Sequence, residues 1–511
     1  MGSGESCNHS CPMTTWTRTA LLMALVVAVT TLPAVTFAPR AEAAGVPPLA
    51  WTPCESPGGP TGQECAGLPV PLDYRDPRGP RLTLAVTRLR SDGPEARQGT
   101  LLALPGGPGG SGVQRLTQRG AALRAQTEGR YDIVGFDPRG VGASTRASCG
   151  ITEGDRYVFT LRSWPAPDGS IDENAARSRR VAEACARNGG AVVRSFSTAN
   201  QVRDMDRLRR ALGEEKISAW ATSYGAYAGA VYAQKYPQHT GRLVLDSVGD
   251  PDPRRVERQW LANMAEGAED RFPDFAAWAA DPPSGHRDLQ LAERPEEVEP
   301  LVLALAAKLD RTPRQSHVPG LPLTGSMLRQ ALQNALYGDA LFPSFAALVK
   351  AAADPLGEPP VLPAELSAPV PDADASVIIA VLCNDVSWPR TVGHYRRTVA
   401  EARAAHPLTA GMTANIVPCA FWKDAPADEP TRITPDGPSN ILVIQGLRDP
   451  ATPLSGALRM RAALGDRARM VTVGRGGHGM YVPRREGCGD RTVEAFLNHG
   501  QRPRHDVHCE D

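Results

Sequence analysis

The sequence predicts an α/β protein built on a mostly parallel, doubly wound sheet, with a helical segment inserted over the strand ends. Three observations carry this. Short apolar runs alternate with amphipathic stretches before residue 251, and the alternation resumes after residue 375. The run Trp220-Ala221-Thr222-Ser223-Tyr224-Gly225 joins a strand pattern, Lys216 to Trp220, to a helix pattern, Ala226 to Lys235. Between Pro251 and Ala375 strand patterns give way to helical stretches and proline-rich connectors such as Asp354 to Pro363.

In chain order, residues 1–43 read as an export signal with an N-terminal extension. Arg18, the apolar run from Ala20 to Val29 and Ala41-Glu42-Ala43 as a cleavage site make the pattern. Pro33 and the polar residues after it argue against a spanning anchor. The mature chain is therefore expected to begin near Ala44 and to be secreted, extracellular and free of the membrane. Of the ten cysteines, Cys7 and Cys11 fall in the removed segment. The rest form an even set without a C-x-x-C pair, which reads as disulfides rather than a metal or redox site. Short loops close at least entropic cost, so sequence neighbours are expected to pair: Cys54–Cys65, Cys149–Cys185, Cys383–Cys419 and Cys488–Cys509.

The first part of the core, residues 44–250, opens with an edge hairpin, Leu68 to Leu72 and Leu82 to Leu89, around the turn Arg75-Asp76-Pro77-Arg78-Gly79. Strands follow at Thr100 to Leu104 and Tyr131 to Phe136, helices at Glu173 to Arg187 and Ala199 to Leu212, then a strand at Arg242 to Leu245. The cap, residues 251–375, carries helical stretches at Glu257 to Phe272, Pro300 to Leu309 and Ser326 to Leu336. Residues 376–511 return to the core. Val377 to Cys383 reads as a strand, and Ile441 to Gln445, Ser455 to Leu464, Met470 to Val473 and Arg491 to Asn498 complete the alternation. Formal charge is zero, so no global field draws the protein to nucleic acid or an anionic membrane. No metal, cofactor or nucleic-acid partner is expected, and the protein is expected to be a monomer.

A serine between a strand and a helix, flanked by small residues, matches the nucleophile elbow G-x-S-x-G. The turn must be sharp enough to project the Ser223 hydroxyl, so the flanking positions need little side chain. Gly225 meets that need, and Ala221 stands where the pattern has glycine. The serine requires a base and a carboxylate to orient the base. Asp449, in Gly446-Leu447-Arg448-Asp449-Pro450, and His478, in Gly476-Gly477-His478-Gly479, each follow a late strand, where open parallel sheets place their sites. Singly, Asp449 also reads as a helix cap before Pro453. The stretch Gly106 to Gly112 lacks the lysine of a phosphate loop, and its prolines argue against a helix N-terminus there. It reads as an oxyanion loop in which the amides of Gly107 and Tyr224 face the developing oxyanion, one such donor being worth about 3 kcal/mol. Asp137-Pro138-Arg139-Gly140 reads as a turn bracing that loop.

Together, Leu104-Pro105-Gly106-Gly107-Pro108-Gly109-Gly110-Ser111-Gly112, Gly135-Phe136-Asp137-Pro138-Arg139-Gly140-Val141-Gly142, Ser223-Tyr224-Gly225-Ala226-Tyr227 and Leu245-Asp246-Ser247-Val248-Gly249-Asp250-Pro251 resemble the secreted tripeptidyl aminopeptidases of the proline iminopeptidase-type α/β-hydrolases. Asp449-Pro450-Ala451-Thr452-Pro453 through Gly477-His478-Gly479 is similar to their C-terminal region. Ala221 departs from the elbow glycine, and Leu104-Pro105 stands where the iminopeptidases carry His-Gly. The resemblance implies a serine exopeptidase acting on peptide substrates with free N-termini. An esterase of the same fold and a non-catalytic hydrolase-fold binding protein are the alternatives. An exopeptidase must hold the substrate's α-ammonium with carboxylates. Asp385, after the Val377 to Cys383 run, is the preferred anchor, and Glu266, Glu269 and Asp270 on the first cap helix are further candidates.

Overall fold

The computed structural model describes residues 46–511 apart from 56–57, 96, 158–160, 255, 482–486 and 511. The expected export signal lies outside the described residues. Among the described residues ten strands form one sheet: β1 (Thr52–Pro53), β2 (Glu64–Pro71), β3 (Arg81–Leu89), β4 (Thr100–Leu104), β5 (Asp132–Phe136), β6 (Ile217–Thr222), β7 (Thr240–Asp246), β8 (Ile441–Arg448), β9 (Ala468–Gly476) and β10 (Val507–Cys509). Their order is β1-β2-β3-β5-β4-β6-β7-β8-β9-β10. The hairpin edge is antiparallel through the β3–β5 pair, and every pairing from β5 to β10 is parallel.

The central strands are apolar at nearly every position because both faces are covered. Leu101, Ala103, Trp220, Val244 and Ile444 face α1 (Gly112–Gln126), on the same side as α14 (Cys488–His499), which brings Val493, Phe496 and Leu497. Their neighbours Leu102, Leu104, Ala219, Ala221, Leu243 and Leu245 face the other way. There they meet α4 (Thr198–Ala211), α5 (Tyr224–Lys235) and α13 (Leu454–Leu464), while α2 (Asp172–Asn188) and the short α3 (Gly190–Arg194) precede α4. The period-two split of one apolar run between two helical layers is what a doubly wound sheet requires.

Between β7 and β8 the chain forms α6 (Val256–Ala280), α7 (Pro295–Arg311), α8 (Gly325–Ala335), α9 (Phe342–Ala353), α10 (Ala364–Ser367), α11 (Asp372–Asp385) and α12 (Val392–Ala405). Helices α6 to α9 enclose an apolar core of their own, in which Phe275 meets Phe342 and Phe345 edge-on at 5.3 and 5.1 Å. Among the described residues, no helix is long and apolar enough to cross a membrane.

Two expectations are corrected. Val377 to Cys383 is not a strand but the body of α11, and the sheet resumes only at Ile441. A run buried on all sides has no periodicity to separate helix from strand; Pro371 at the N-cap and Asp372 and Asp374 in the first turn mark the helix instead. The glycine-rich stretch does run into a helix, because Ser111 caps α1, its hydroxyl accepting the Gln114 N–H at 3.0 Å. The tail beyond α14 adds β10 to the sheet edge, parallel to β9. The four expected disulfides, Cys54–Cys65, Cys149–Cys185, Cys383–Cys419 and Cys488–Cys509, are all formed.

Candidate active site

Ser223 lies in the tight turn between β6 and α5 with φ 59° and ψ −127°. A non-glycine residue there costs about 1–3 kcal/mol and persists only where its surroundings hold it. The Ser223 N–H donates to the Asp246 carbonyl at 2.9 Å, and the Ser223 carbonyl accepts the Ala226 N–H at 2.9 Å. Gly225 lies so close to the oxyanion loop that a Cβ would collide with the carbonyl oxygens of Pro105 and Leu104. Ala221, the departure from the elbow pattern, is fully buried on the α5 side, where Gly229 leaves room for its methyl.

The expected oxyanion loop reaches the serine. A Cβ on Gly106 would stand 2.7 Å from the Ser223 Cβ and 3.1 Å from its Oγ. Gly107 has φ 126°, a conformation that excludes side chains. Asp137 braces the loop: one carboxylate oxygen accepts the Ser111 hydroxyl at 2.5 Å and the Val113 N–H at 3.1 Å, the other the Ala143 N–H at 3.0 Å. Arg139 is buried in a bidentate pair with Asp204 at 2.7 and 2.9 Å. Tyr224 turns its side chain into the core, where its hydroxyl meets the Thr198 hydroxyl at 2.8 Å.

His478 Nδ1 lies 3.0 Å from both carboxylate oxygens of Asp449, which is fully buried. Asp449 Oδ1 also accepts the N–H groups of Ala451 and Thr452 at 2.9 and 2.8 Å, so it caps its own turn as well. Burial favours the neutral carboxyl, but the facing imidazole and these N–H donors outweigh it and hold Asp449 below the ordinary carboxylate value. Burial likewise disfavours the imidazolium, yet Asp449 and, more distantly, Asp246 overcome it and raise His478 above 6.5. Arg162 acts in the opposite direction.

Sequence reasoning missed the cap's contribution. The His478 N–H donates to the Tyr337 carbonyl at 2.9 Å, and the Tyr337 ring stands edge-on to the imidazole at 5.3 Å. Buried Arg162 donates to the Tyr337 hydroxyl at 2.6 Å and to Asn334 Oδ1 at 3.2 Å. Thr452 was also missed: its hydroxyl bonds Asp449 Oδ2 at 3.1 Å and the Ser247 carbonyl at 2.9 Å. Only its place three residues after an aspartate, a turn signal, pointed to it. Helix α6 presses Gly267 against the Asp449 and Pro450 backbone, where a Cβ would have no room.

The acids expected to receive an ammonium do not converge. Glu266 is exposed and accepts the Ser455 hydroxyl at 3.1 Å, Glu269 pairs with His406 at 2.9 Å, and Asp270 is exposed. Asp385 ends a helix rather than following a strand, which removes the reason to aim it at the serine. Its carboxylate accepts the Thr198 N–H at 2.9 Å and caps α4. It lines a cavity of about 440 Å³ whose walls include Tyr227 and Val231 of α5 but not Ser223. Behind Asp385 lies Glu257, buried. Burial raises both carboxyls, Asp385 to about 6 and Glu257 well above the usual value, the latter also through the neighbouring Asp385.

Serine, acid and histidine in that order, at the C-terminal ends of β6, β8 and β9, are the arrangement of the α/β-hydrolases, and the fold is of that class. Residues 406–509 match the family described as TAP-like protein. The chain is 32% identical to a tripeptidyl aminopeptidase of Streptomyces lividans over 92% of its own length and 88% of the relative's. It is 28% identical to the serine protease Hip1 of Mycobacterium tuberculosis (90% of this chain, 91% of the relative) and 28% identical to a carboxylesterase B of Mycobacterium tuberculosis (87% and 86%). The protein belongs to the tripeptidyl aminopeptidase family of serine hydrolases.

Proposed function

We propose that the protein is a secreted serine exopeptidase that releases short peptides, tripeptides in the first instance, from free N-termini through an acyl-enzyme. The observation that carries this is the His478–Asp449 pair at 3.0 Å on the loops after β8 and β9, together with a serine held at positive φ in the turn after β6. Ser223 is the nucleophile, and His478 takes its proton and returns it to the leaving amine. Asp449 orients the ring and stabilises the imidazolium, and the N–H groups of Gly107 and Tyr224 receive the oxyanion. The family relationship supports peptides as substrates. The α-ammonium is assigned to Asp385, with Glu257 behind it, because Asp385 lines a cavity while still capping α4; Glu266 and Glu269 lie outside that cavity and are engaged by Ser455 and His406.

A fluorophosphonate should label Ser223, and Ser223→Ala should abolish turnover without changing the melting temperature. A label on another serine refutes the assignment. The carboxylesterase among the relatives favours esters as the second reading. Free and N-acetylated peptides assayed beside small esters separate the two: the exopeptidase loses the acetylated peptide, and the esterase prefers the ester.

A further inference from the structure

We propose that Asp246, at the C-terminus of β7, is the positioning residue that holds the three catalytic loops in register, a role that rests on the triad proposed above. The Asp246 side chain is fully buried. One carboxylate oxygen accepts the Met480 N–H at 2.7 Å, and the other accepts the Tyr481 N–H at 3.2 Å and the Trp220 indole N–H at 3.2 Å. Met480 and Tyr481 follow His478 by two and three residues, so this one carboxylate clamps the histidine loop. Its own backbone carbonyl accepts the Ser223 N–H at 2.9 Å and clamps the elbow. The next residue completes the set: the Ser247 carbonyl accepts the Thr452 hydroxyl of the acid loop at 2.9 Å, and its hydroxyl accepts the Gly479 N–H at 2.9 Å. Serine, acid and histidine arrive from strands far apart in sequence, and two consecutive residues tie all three loops together.

The partners also define the charge. The three N–H groups around the carboxylate are donors, which a carboxylate anion satisfies and a carboxamide cannot. The Arg115 guanidinium lies 3.9 Å over the Trp220 ring, donates to the Thr222 hydroxyl at 2.7 Å and favours the anion. Burial opposes it and raises the Asp246 carboxyl. The charge reaches the reaction as well, because Asp246 is one of the two carboxylates that favour the His478 cation. The groups facing His478 are Asp449, Asp246, Arg162 and Tyr337; those facing Asp246 are Arg115, Trp220 and Tyr481.

The test compares the wild type with Asp246→Asn on a single peptide substrate. Asparagine turns an amide N–H toward a loop N–H and removes the charge. The expected result is a fall in kcat of about tenfold or more with KM little changed. The acid limb of kcat/KM should also move to lower pH, since His478 loses a favourable charge. A merely structural role would lower the melting temperature and leave the limb in place. Should Asp246→Asn not fold, Trp220→Phe removes one donor only. Its activity should fall more steeply than the wild type's as pH drops, because losing a donor to the anion favours the neutral Asp246 carboxyl. Wild-type kcat and an unmoved limb in the folded Asp246→Asn variant overturn the proposal, as does an unchanged pH profile in Trp220→Phe if that is the variant in hand. Failure of the wild type itself to take the fluorophosphonate at Ser223 would instead overturn the triad.

Discussion

Gly106→Ala is the sharpest steric test of the site. The backbone at Gly106 does not need glycine's conformational freedom, so the effect of alanine is confined to one methyl. That methyl would lie 2.7 Å from the Ser223 Cβ, 3.1 Å from its Oγ and 3.3 Å from the Thr222 carbonyl. Carbon atoms in contact rest at about 3.5–4.0 Å, so the oxyanion loop and the elbow must separate by about 1 Å. The elbow has little freedom to yield, since Ser223 is tied to Asp246 and Gly225 is wedged against Leu104 and Pro105. The loop carrying Gly107 therefore retreats. A misplacement of about 1 Å costs on the order of a hundredfold in rate, equivalent to about 2.7 kcal/mol in the transition state. The loss should fall on kcat, because the displaced donor acts on the oxyanion, and the melting temperature should change little. The assay is steady-state hydrolysis of a peptide anilide together with the rate of fluorophosphonate labelling. A variant within twofold of the wild type in both would show that this loop does not serve the oxyanion.

The remaining predictions concern protons. His478 must be neutral to accept the serine proton, and Asp449 and Asp246 raise it, so kcat/KM should fall as pH drops through a value above 6.5; an acid limb below 6.5 in a pH–rate profile contradicts this. Glu257 and Asp385 are both raised, so their contribution to stability is fully present below the unfolded carboxyl values and is lost as pH rises from there through the folded ones, a loss complete above about 6 for Asp385. Glu257→Gln removes one of the two raised carboxyls: thermal melts should show the variant gaining on the wild type as pH rises above the unfolded carboxyl range, and a difference independent of pH would refute the raised carboxyl.

The parts of the fold that were legible in the sequence are those whose signal is local. Thr100 to Leu104 and Ile441 to Gln445 are apolar runs bounded by glycine or proline, and each is a central strand of the sheet. The hairpin turn around Asp76 and the spacing of the cysteines are equally local. Val377 to Cys383 misled because complete burial erases periodicity, and the same erasure hides where the insertion ends. The sheet waits until Ile441 because α11 spends its apolar residues on the oxyanion loop and on Phe196, where Val377 meets Gly140 and Ile378 meets Gly109. That layer sits beside the sheet and adds no strand to it.

The site divides along the same line. Ser223, Asp449 and His478, the triad proposed here, can be singled out in the sequence because each occupies a turn after a strand, and the proposed chemistry requires that residue type there. Tyr337, Arg162 and Thr452 act through contacts to a ring, a hydroxyl or a backbone atom, and many residue types could stand in their places without changing the local pattern. Asp246 is the instructive case. An aspartate at the end of a buried strand, followed by a serine, reads as a turn former. Its partners come from β6, from the loop after β9 and, through Arg115, from α1, and only the parallel order β6-β7-β8-β9 brings them to one carboxylate. A carboxylate with no local partner, buried at the strand end next to the nucleophile, is therefore the position where sequence alone says least and where the geometry assigns the most.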